Sequence, residues 1–314
     1  MNSDSYVNLG KTEIKISQLG LGTMGWGDVN SSDGHTFQIA PEIHAIYQSS
    51  LELGINFFDT AEMYGSGRSE RHLGMNINGD RKKVIIATKF MPFPWRLSKR
   101  ELRSALINSL KRLDLSQIDL YQMHWPFPPV PIKTWMEAMS AAFEDGLIRA
   151  VGVSNYSIHQ VSIAQDVLAR HSIPLASNQI KYSLLHRQPE TSGLVEYCQK
   201  SGVTVIAYSP LEKGILTGKY TPSNLPPGFR AWRYNRSFLE KIIPLMDVLH
   251  EIGMDHNGKT PGQVSLNWLM VKGAVPIPGS RNLTQAKENA GAMGWKLTSE
   301  EVARLDSISE RILH

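Results

Sequence analysis

The stretch VIIATKFMPFPWRLSKRELRSALINSLKRLDLSQIDLYQMHW, Val84–Trp125, contains one complete strand–helix–strand unit. Val84–Phe90 is a short, nearly unbroken apolar run, the pattern of a parallel strand covered on both faces. Ser98 and Glu101 have the spacing of a capping box, in which a hydroxyl and a carboxylate satisfy orphan N–H groups at a helix start. Leu102, Leu106 and Leu110 then draw one apolar stripe along a helix predicted over Ser98–Leu113. A second apolar run, Ile118–Trp125, follows at once.

The same rhythm extends in both directions. Strands are predicted at Ser17–Thr23, Asn56–Thr60, Val84–Phe90, Ile118–Trp125, Ile148–Asn155, Ala176–Ser183, Val203–Leu211 and Ala274–Ser280. Helices are predicted at Pro41–Leu53, Thr134–Glu144, Ile158–Arg170, Thr191–Ser201, Pro261–Val271 and Leu283–Gly291, besides Ser98–Leu113. Eight strands in this alternation, with short connections, predict a closed (β/α)8 barrel, an α/β fold spanning residues 1–314 as one domain. A doubly wound sheet would need its phosphate-binding glycines at the start of a helix. GLGTMGWGD has the glycines, but Gly27–Gly34 reads as a turn, so a flexible loop at the barrel mouth is expected there instead. Two segments lie outside the rhythm. Val7–Ile16 reads as a β-hairpin turning near Gly10 and plugging one end of the barrel. Tyr220–Ser237, rich in proline and arginine, reads as a long loop after the seventh strand, either a lid or a surface insertion.

Composition narrows the functional classes. The net charge of +4 and pI near 9.0 come with no basic run interleaved with aromatics, so nucleic-acid binding is not expected. A single cysteine, Cys198, allows no internal disulfide and no cysteine metal site. His35, His44, His72, His159, His171 and His186 show no ligand spacing, and no metal is expected. The first residues lack the pattern of a secretory signal, and no apolar run approaches the roughly 20 residues that span a bilayer. A soluble protein of the cytoplasm is expected, or of an organelle stroma if a presequence has been removed. Oligomeric state stays open.

Four ionisable residues fall at neighbouring strand ends, where barrels of this kind place their active sites. Asp59 ends the second strand and Tyr64 follows it, Lys89 ends the third, and His124 ends the fourth. Singly, each admits a structural role: Asp59 as a helix cap, Tyr64 as a rim residue, Lys89 as a snorkelling lysine, His124 as a core histidine. Together they suit hydride reduction of a carbonyl, whose oxygen gains negative charge and needs a proton. Tyr64 would be the acid. Lys89 would lower its pKa, Asp59 would hold Lys89, and His124 would orient the carbonyl oxygen. Trp26, Trp95, Trp125 and Phe127 could form an aromatic wall for the substrate, or could simply pack.

FFDTAEMYG (Phe57–Gly65), ATKF (Ala87–Phe90), DLYQMHWP (Asp119–Pro126), GVSN (Gly152–Asn155), NQIKYS (Asn178–Ser183), AYSPLEKGILTGKY (Ala207–Tyr220) and IPGSRNLTQAKEN (Ile277–Asn289) resemble the aldo-keto reductase superfamily along nearly the whole chain. GKYTPSNLPPG is most similar to its plant and bacterial NADP-dependent branch. The resemblance implies NADP(H) extended across the top of the barrel and a small carbonyl substrate. It implies that Ser154, Asn155 and Gln179 hold the nicotinamide carboxamide and that Tyr208 stacks on its ring. Ser209, Pro210, Leu211, Gly214 and Lys219 would line the pyrophosphate. Ser280 and Arg281 would take the 2′-phosphate, with Gln285, Glu288 and Asn289 around the adenine. Gly22, Thr23, Met24, Asp59, Pro278 and Gly279 complete the implied cofactor contacts. Two other readings remain at this point: a non-catalytic, cofactor-binding regulatory subunit, and a lyase forming a Schiff base through Lys89.

Overall fold

The computed structural model describes residues 6–27, 40–77, 79–228 and 230–313. A hairpin, β1 (Tyr6–Asn8) and β2 (Lys15–Ser17), precedes an eight-stranded parallel sheet. Its strands are β3 (Leu21–Gly22), β4 (Phe57–Asp59), β5 (Ile85–Phe90), β6 (Leu120–Met123), β7 (Val151–Ser154), β8 (Leu175–Lys181), β9 (Thr204–Tyr208) and β10 (Ala274–Pro276). Each strand pairs with the next in chain order. The sheet curls until its ends meet: Gly20 N–H donates to Pro276 O at 2.9 Å and Gly22 N–H to Pro278 O at 3.0 Å. This is the predicted (β/α)8 barrel, and every strand overlaps its predicted run; β8 starts one residue early, at Leu175.

The helices are α1 (Ala40–Glu52), α2 (Arg68–Ile77), α3 (Lys99–Leu113), α4 (Ile132–Glu144), α5 (Ile158–Ala169), α6 (Gln188–Thr191) and α7 (Leu194–Ser201). They continue with α8 (Arg230–Arg233), α9 (Arg236–Lys241), α10 (Ile243–Asp255), α11 (Pro261–Val271), α12 (Leu283–Ala290) and α13 (Ser299–Leu313). The Ser98 capping box forms, with Ser98 N–H donating to Glu101 Oε2 at 2.8 Å. Leu102, Leu106 and Leu110 are all buried, in the main core between barrel and helices.

Several elements depart from the sequence reading, each for a local reason. Helix α2 is polar and interrupted by Gly74, so its pattern is faint. Gly74 is there for packing, because a Cβ on it would lie 2.8 Å from the Arg112 carbonyl oxygen of α3. Helix α7 begins at Leu194 rather than Thr191, because Gly193 turns left-handed (φ 76°) and separates it from α6. Helix α4 starts two residues early, at Ile132, directly after Pro131. The segment Tyr220–Ser237 is not wholly loop: it contains α8 and the first two residues of α9, capped by the Asn235 side chain. His35 and most of the turn expected at Gly27–Gly34 lie outside the described residues.

The hairpin closes the barrel floor. Leu9 N–H donates to Ile14 O at 2.8 Å across a turn at Gly10, where a Cβ would lie 2.6 Å from the Ala176 carbonyl oxygen. Leu9, Ile14 and Ile16 pack with Phe57, Leu120, Ala176, Ile206 and Val275 in a second apolar cluster. Burying these side chains excludes water from that end, so only the C-terminal ends of the strands are left to form a site. Among the described residues, no helix is long and apolar enough to cross a membrane.

Candidate active site

Asp59 is the last residue of β4, Lys89 the penultimate residue of β5, and His124 follows β6 directly. The pairing register sets Asp59 beside Ala87 and Lys89 beside Gln122, so these side chains rise from neighbouring strands. Lys89 is 0% exposed and Asp59 1%. The Lys89 ammonium donates to Asp59 Oδ2 at 2.5 Å, to Thr60 O at 2.8 Å and to Tyr64 Oη at 3.1 Å. Its three protons are thereby used, which is what a buried ammonium requires. The other carboxylate oxygen of Asp59 accepts from Gln179 Nε2 at 2.7 Å and Gln122 Nε2 at 3.2 Å. The Tyr64 and His124 rings meet edge-on, centroids 5.9 Å apart. All four predicted residues therefore come together.

The electrostatics differ in one respect from the sequence reading. Burial works to lower the Lys89 pKa, but Asp59 and Tyr64 together outweigh it and hold the ammonium above its ordinary value. For Tyr64, burial raises the pKa and Lys89 lowers it; burial wins, so the phenol is a weaker acid than free tyrosine. The lysine has the expected sign and is outweighed. Burial, helped by Lys89, pushes His124 down to about 3, so the imidazole is neutral at physiological pH. Its Nδ1 is buried with no hydrogen-bond partner among the described residues.

The turn bearing Tyr64 is held by polar groups that the sequence reading passed over. Tyr64 N–H donates to Ala61 O at 3.0 Å, and Gly65 follows with φ +58°. Ser69 Oγ lies 2.8 Å from Thr23 Oγ1 and 2.9 Å from Thr60 Oγ1, joining the start of α2 to two strand ends. Gln122 was also missed. Its signal is period-two spacing, since Gln122 and His124 stand two apart on one strand and so share a face.

The residues implied for a cofactor form three groups on the same rim. In the first, Tyr208 Oη donates to Asn155 Oδ1 at 3.0 Å. Asn155 Nδ2 donates to His124 O at 3.2 Å, and Ser154 Oγ to Gln179 O at 2.8 Å. Asn155 itself is left-handed, φ 62°. The second group is the turn after β9, where Ser209, Glu212, Lys213 and Gly214 all have positive φ. Gly214 lies under Lys219, for a Cβ there would be 2.9 Å from Lys219 Cε. Pro210 is buried and Leu211 half-buried beside it.

The third group lies at the barrel seam, where Gly22 bridges Gly279. Thr23, Pro278 and Ser280 are buried there, and Met24 is exposed. Arg281 precedes Asn282, the N-cap of α12, and its N–H donates to Gln285 Oε1 at 2.8 Å. Asn289 Nδ2 donates to Ser280 Oγ at 3.0 Å, and Glu288 accepts from Thr260 Oγ1 at 3.1 Å. The seam glycines leave backbone uncovered between first and last strands, while cationic Lys219 and Arg281 lie in two different loops. That donor set fits an elongated dinucleotide with phosphates at two points.

The four aromatic residues are not equivalent. Trp26 is 2% exposed and packs with the main core. Trp95 stacks on Phe93 at 4.5 Å and is 70% exposed, and Trp125 stacks on Phe127 at 5.4 Å. Among the described residues, no group of three or more His, Cys, Asp or Glu could hold a metal ion.

A profile of the Aldo/keto reductase family matches residues 18–310. The chain is 38% identical to the chloroplastic pyridoxal reductase of Arabidopsis thaliana, over 93% of this chain and 83% of that protein. It is 33% identical to an NADP(+) aldo-keto reductase of Schizosaccharomyces pombe, over 92% of this chain and 87% of that one. Among solved structures it resembles a thermostable aldo-keto reductase crystallised with the inhibitor epalrestat. That likeness has a TM-score of 0.79 and 33% identity, covering 96% of this chain and 99% of the other. The chain belongs to the aldo/keto reductase family and is, with that family, an NADP(H)-dependent oxidoreductase.

Proposed function

We propose that residues 1–314 act as one barrel domain that reduces aldehydes or ketones to alcohols, with Tyr64 as the proton donor. The observation that carries this is the buried Lys89 ammonium, which contacts Asp59 at 2.5 Å and the Tyr64 hydroxyl at 3.1 Å. NADPH, when bound along the rim, would supply the hydride. Ser154, Asn155 and Gln179 would hold its carboxamide, Tyr208 its nicotinamide ring, Lys219 its pyrophosphate, and Ser280 and Arg281 its 2′-phosphate.

The chain's own groups manage the proton. As the carbonyl oxygen gains charge, Tyr64 Oη gives up its proton to it, and the phenolate is met at once by the Lys89 ammonium. Burial makes that proton hard to release in the resting site, and Lys89 is the group that opposes this cost. Asp59, fixed by two glutamine amides, keeps Lys89 charged and aimed. Neutral His124 donates a hydrogen bond to the carbonyl oxygen without adding a charge beside Lys89. The same ion pair argues against a Schiff base, which needs a neutral and accessible amine. The stacked pairs Phe93–Trp95 and Trp125–Phe127 suit an aromatic aldehyde, the class to which pyridoxal belongs.

The test is NADPH consumption at 340 nm with 4-nitrobenzaldehyde. Tyr64→Phe is expected to lose on the order of 10²- to 10⁴-fold in kcat while still binding NADPH. Normal turnover in Tyr64→Phe would end the assignment, and NADPH binding without turnover in the wild type would favour a regulatory subunit.

A further inference from the structure

The turn that carries Tyr64 is tied to the segment beyond Lys89 by an ion pair that the reaction above does not use. Glu62 Oε1 accepts from Arg96 Nη1 at 2.5 Å and from Met91 N–H at 2.8 Å, and Glu62 Oε2 accepts from Arg96 Nη2 at 3.1 Å. Arg96 Nη1 also donates to Met91 O at 2.9 Å. The guanidinium lies 4.9 Å from the Phe90 ring centre and 5.3 Å from that of Phe93. The two side chains are only 21% and 9% exposed. A bidentate arginine–carboxylate contact in such a place has one preferred geometry.

The backbone alone ties this turn weakly to the end of β5. Thr60 N–H anchors its start on Ala87 O at 2.8 Å, but Glu62 N–H reaches Lys89 O only at 3.5 Å. Glu62 stands two residues from Thr60, whose carbonyl receives Lys89, and two from Tyr64. Its side chain is therefore the firm link between the piece of chain holding the phenol and the piece holding the ammonium.

We propose that Glu62 and Arg96 form a positioning pair that fixes the approach of Tyr64 to Lys89. This rests on the reading of Tyr64 as proton donor. Freeing the turn lets the phenol drift from the ammonium, so the proton transfer slows. The attraction by which Lys89 opposes the burial-driven rise of the Tyr64 pKa then weakens as well, because Coulomb attraction falls with distance. A brace serving stability alone would alter melting without touching either property.

The experiment uses Arg96→Met and Glu62→Gln in the full chain, with Arg96→Lys as the conservative variant. Melting temperature, NADPH affinity, kcat and the pH dependence of kcat/KM are measured for each. The expected result is a folded protein with wild-type NADPH affinity, kcat lowered roughly ten- to hundredfold, and the alkaline limb moved to higher pH. Arg96→Lys keeps the charge without the fork and should fall between wild type and Arg96→Met. Should Arg96→Met strand the Glu62 carboxylate and fail to fold, Glu62→Gln, which strands no carboxylate, carries the same expectation. Wild-type kcat with the alkaline limb in place, in either folded variant, overturns the proposal. So does a kcat loss that only tracks the loss of folded protein. Failure of the underlying reading looks different: Tyr64→Phe would then turn over like the wild type.

Discussion

Gly65 and Gly27 meet backbone to backbone beside Tyr64: a Cβ on Gly65 would lie 1.9 Å from the Gly27 carbonyl oxygen. In the other direction, a Cβ on Gly27 would lie 2.6 Å from the Tyr64 carbonyl carbon. Arg68 Nε donates to the same Gly27 oxygen at 3.0 Å. The loop after β3 thus sets how deep the Tyr64 turn can sit over β4 and β5.

Gly65→Ala follows from that contact. The residue has φ +58°, which costs a side-chain-bearing residue about 1–2 kcal/mol, and the clash adds an overpacking cost of about 1–3 kcal/mol. Urea unfolding should show a loss of about 2–5 kcal/mol. Relief by moving the turn would shift Tyr64, so kcat of the folded fraction should fall at least tenfold, as small misplacements do. A variant of unchanged kcat would mean that the turn yields without moving the phenol.

Lys89→Met separates the burial and charge effects on Tyr64. With Tyr64 as the proposed donor, reduction needs the protonated phenol, so that requirement is met below the Tyr64 pKa and lost as pH rises through it. Burial raises that pKa and Lys89 lowers it, so removing the ammonium moves the alkaline limb to higher pH while the rate falls. His124, held near 3, contributes no limb between about pH 5 and 8. A kcat/KM profile for wild type and variant reads both effects. An alkaline limb that moves to lower pH in Lys89→Met, or an acid limb near 6.5, would contradict this electrostatic account.

The barrel was legible because its strands are buried on both faces and read as apolar runs, while α3 announces itself through Ser98, Glu101 and a leucine stripe. Helix α2 was not, because Gly74 serves a contact with α3 that sequence spacing does not reveal. The cluster of Asp59, Tyr64, Lys89 and His124 was legible from strand ends alone. Gln122, the Thr23–Ser69–Thr60 hydroxyls and the Glu62–Arg96 pair were not, since their roles depend on partners 9 to 63 residues away in the chain. The sign of the Tyr64 shift also needed the fold, because burial and a neighbouring charge oppose each other and only their relative size decides.

Arg281→Ala tests the adenosine end of the cofactor reading independently of the chemistry. Arg281 stands one residue before the N-cap of α12, and its backbone N–H is fixed by Gln285. A 2′-phosphate placed there gains a charge-assisted contact and the helix N-terminal N–H groups. Losing the guanidinium removes about 1.5–3 kcal/mol of that contact, or roughly ten- to hundredfold in affinity. NADH lacks the phosphate, so its affinity should scarcely change. Fluorescence titration of both cofactors measures the ratio, while kcat at saturating NADPH should remain near wild type because Tyr64 and Lys89 are untouched. Equal losses for NADPH and NADH would place the phosphate elsewhere on the rim, with Lys219 as the next cation to replace.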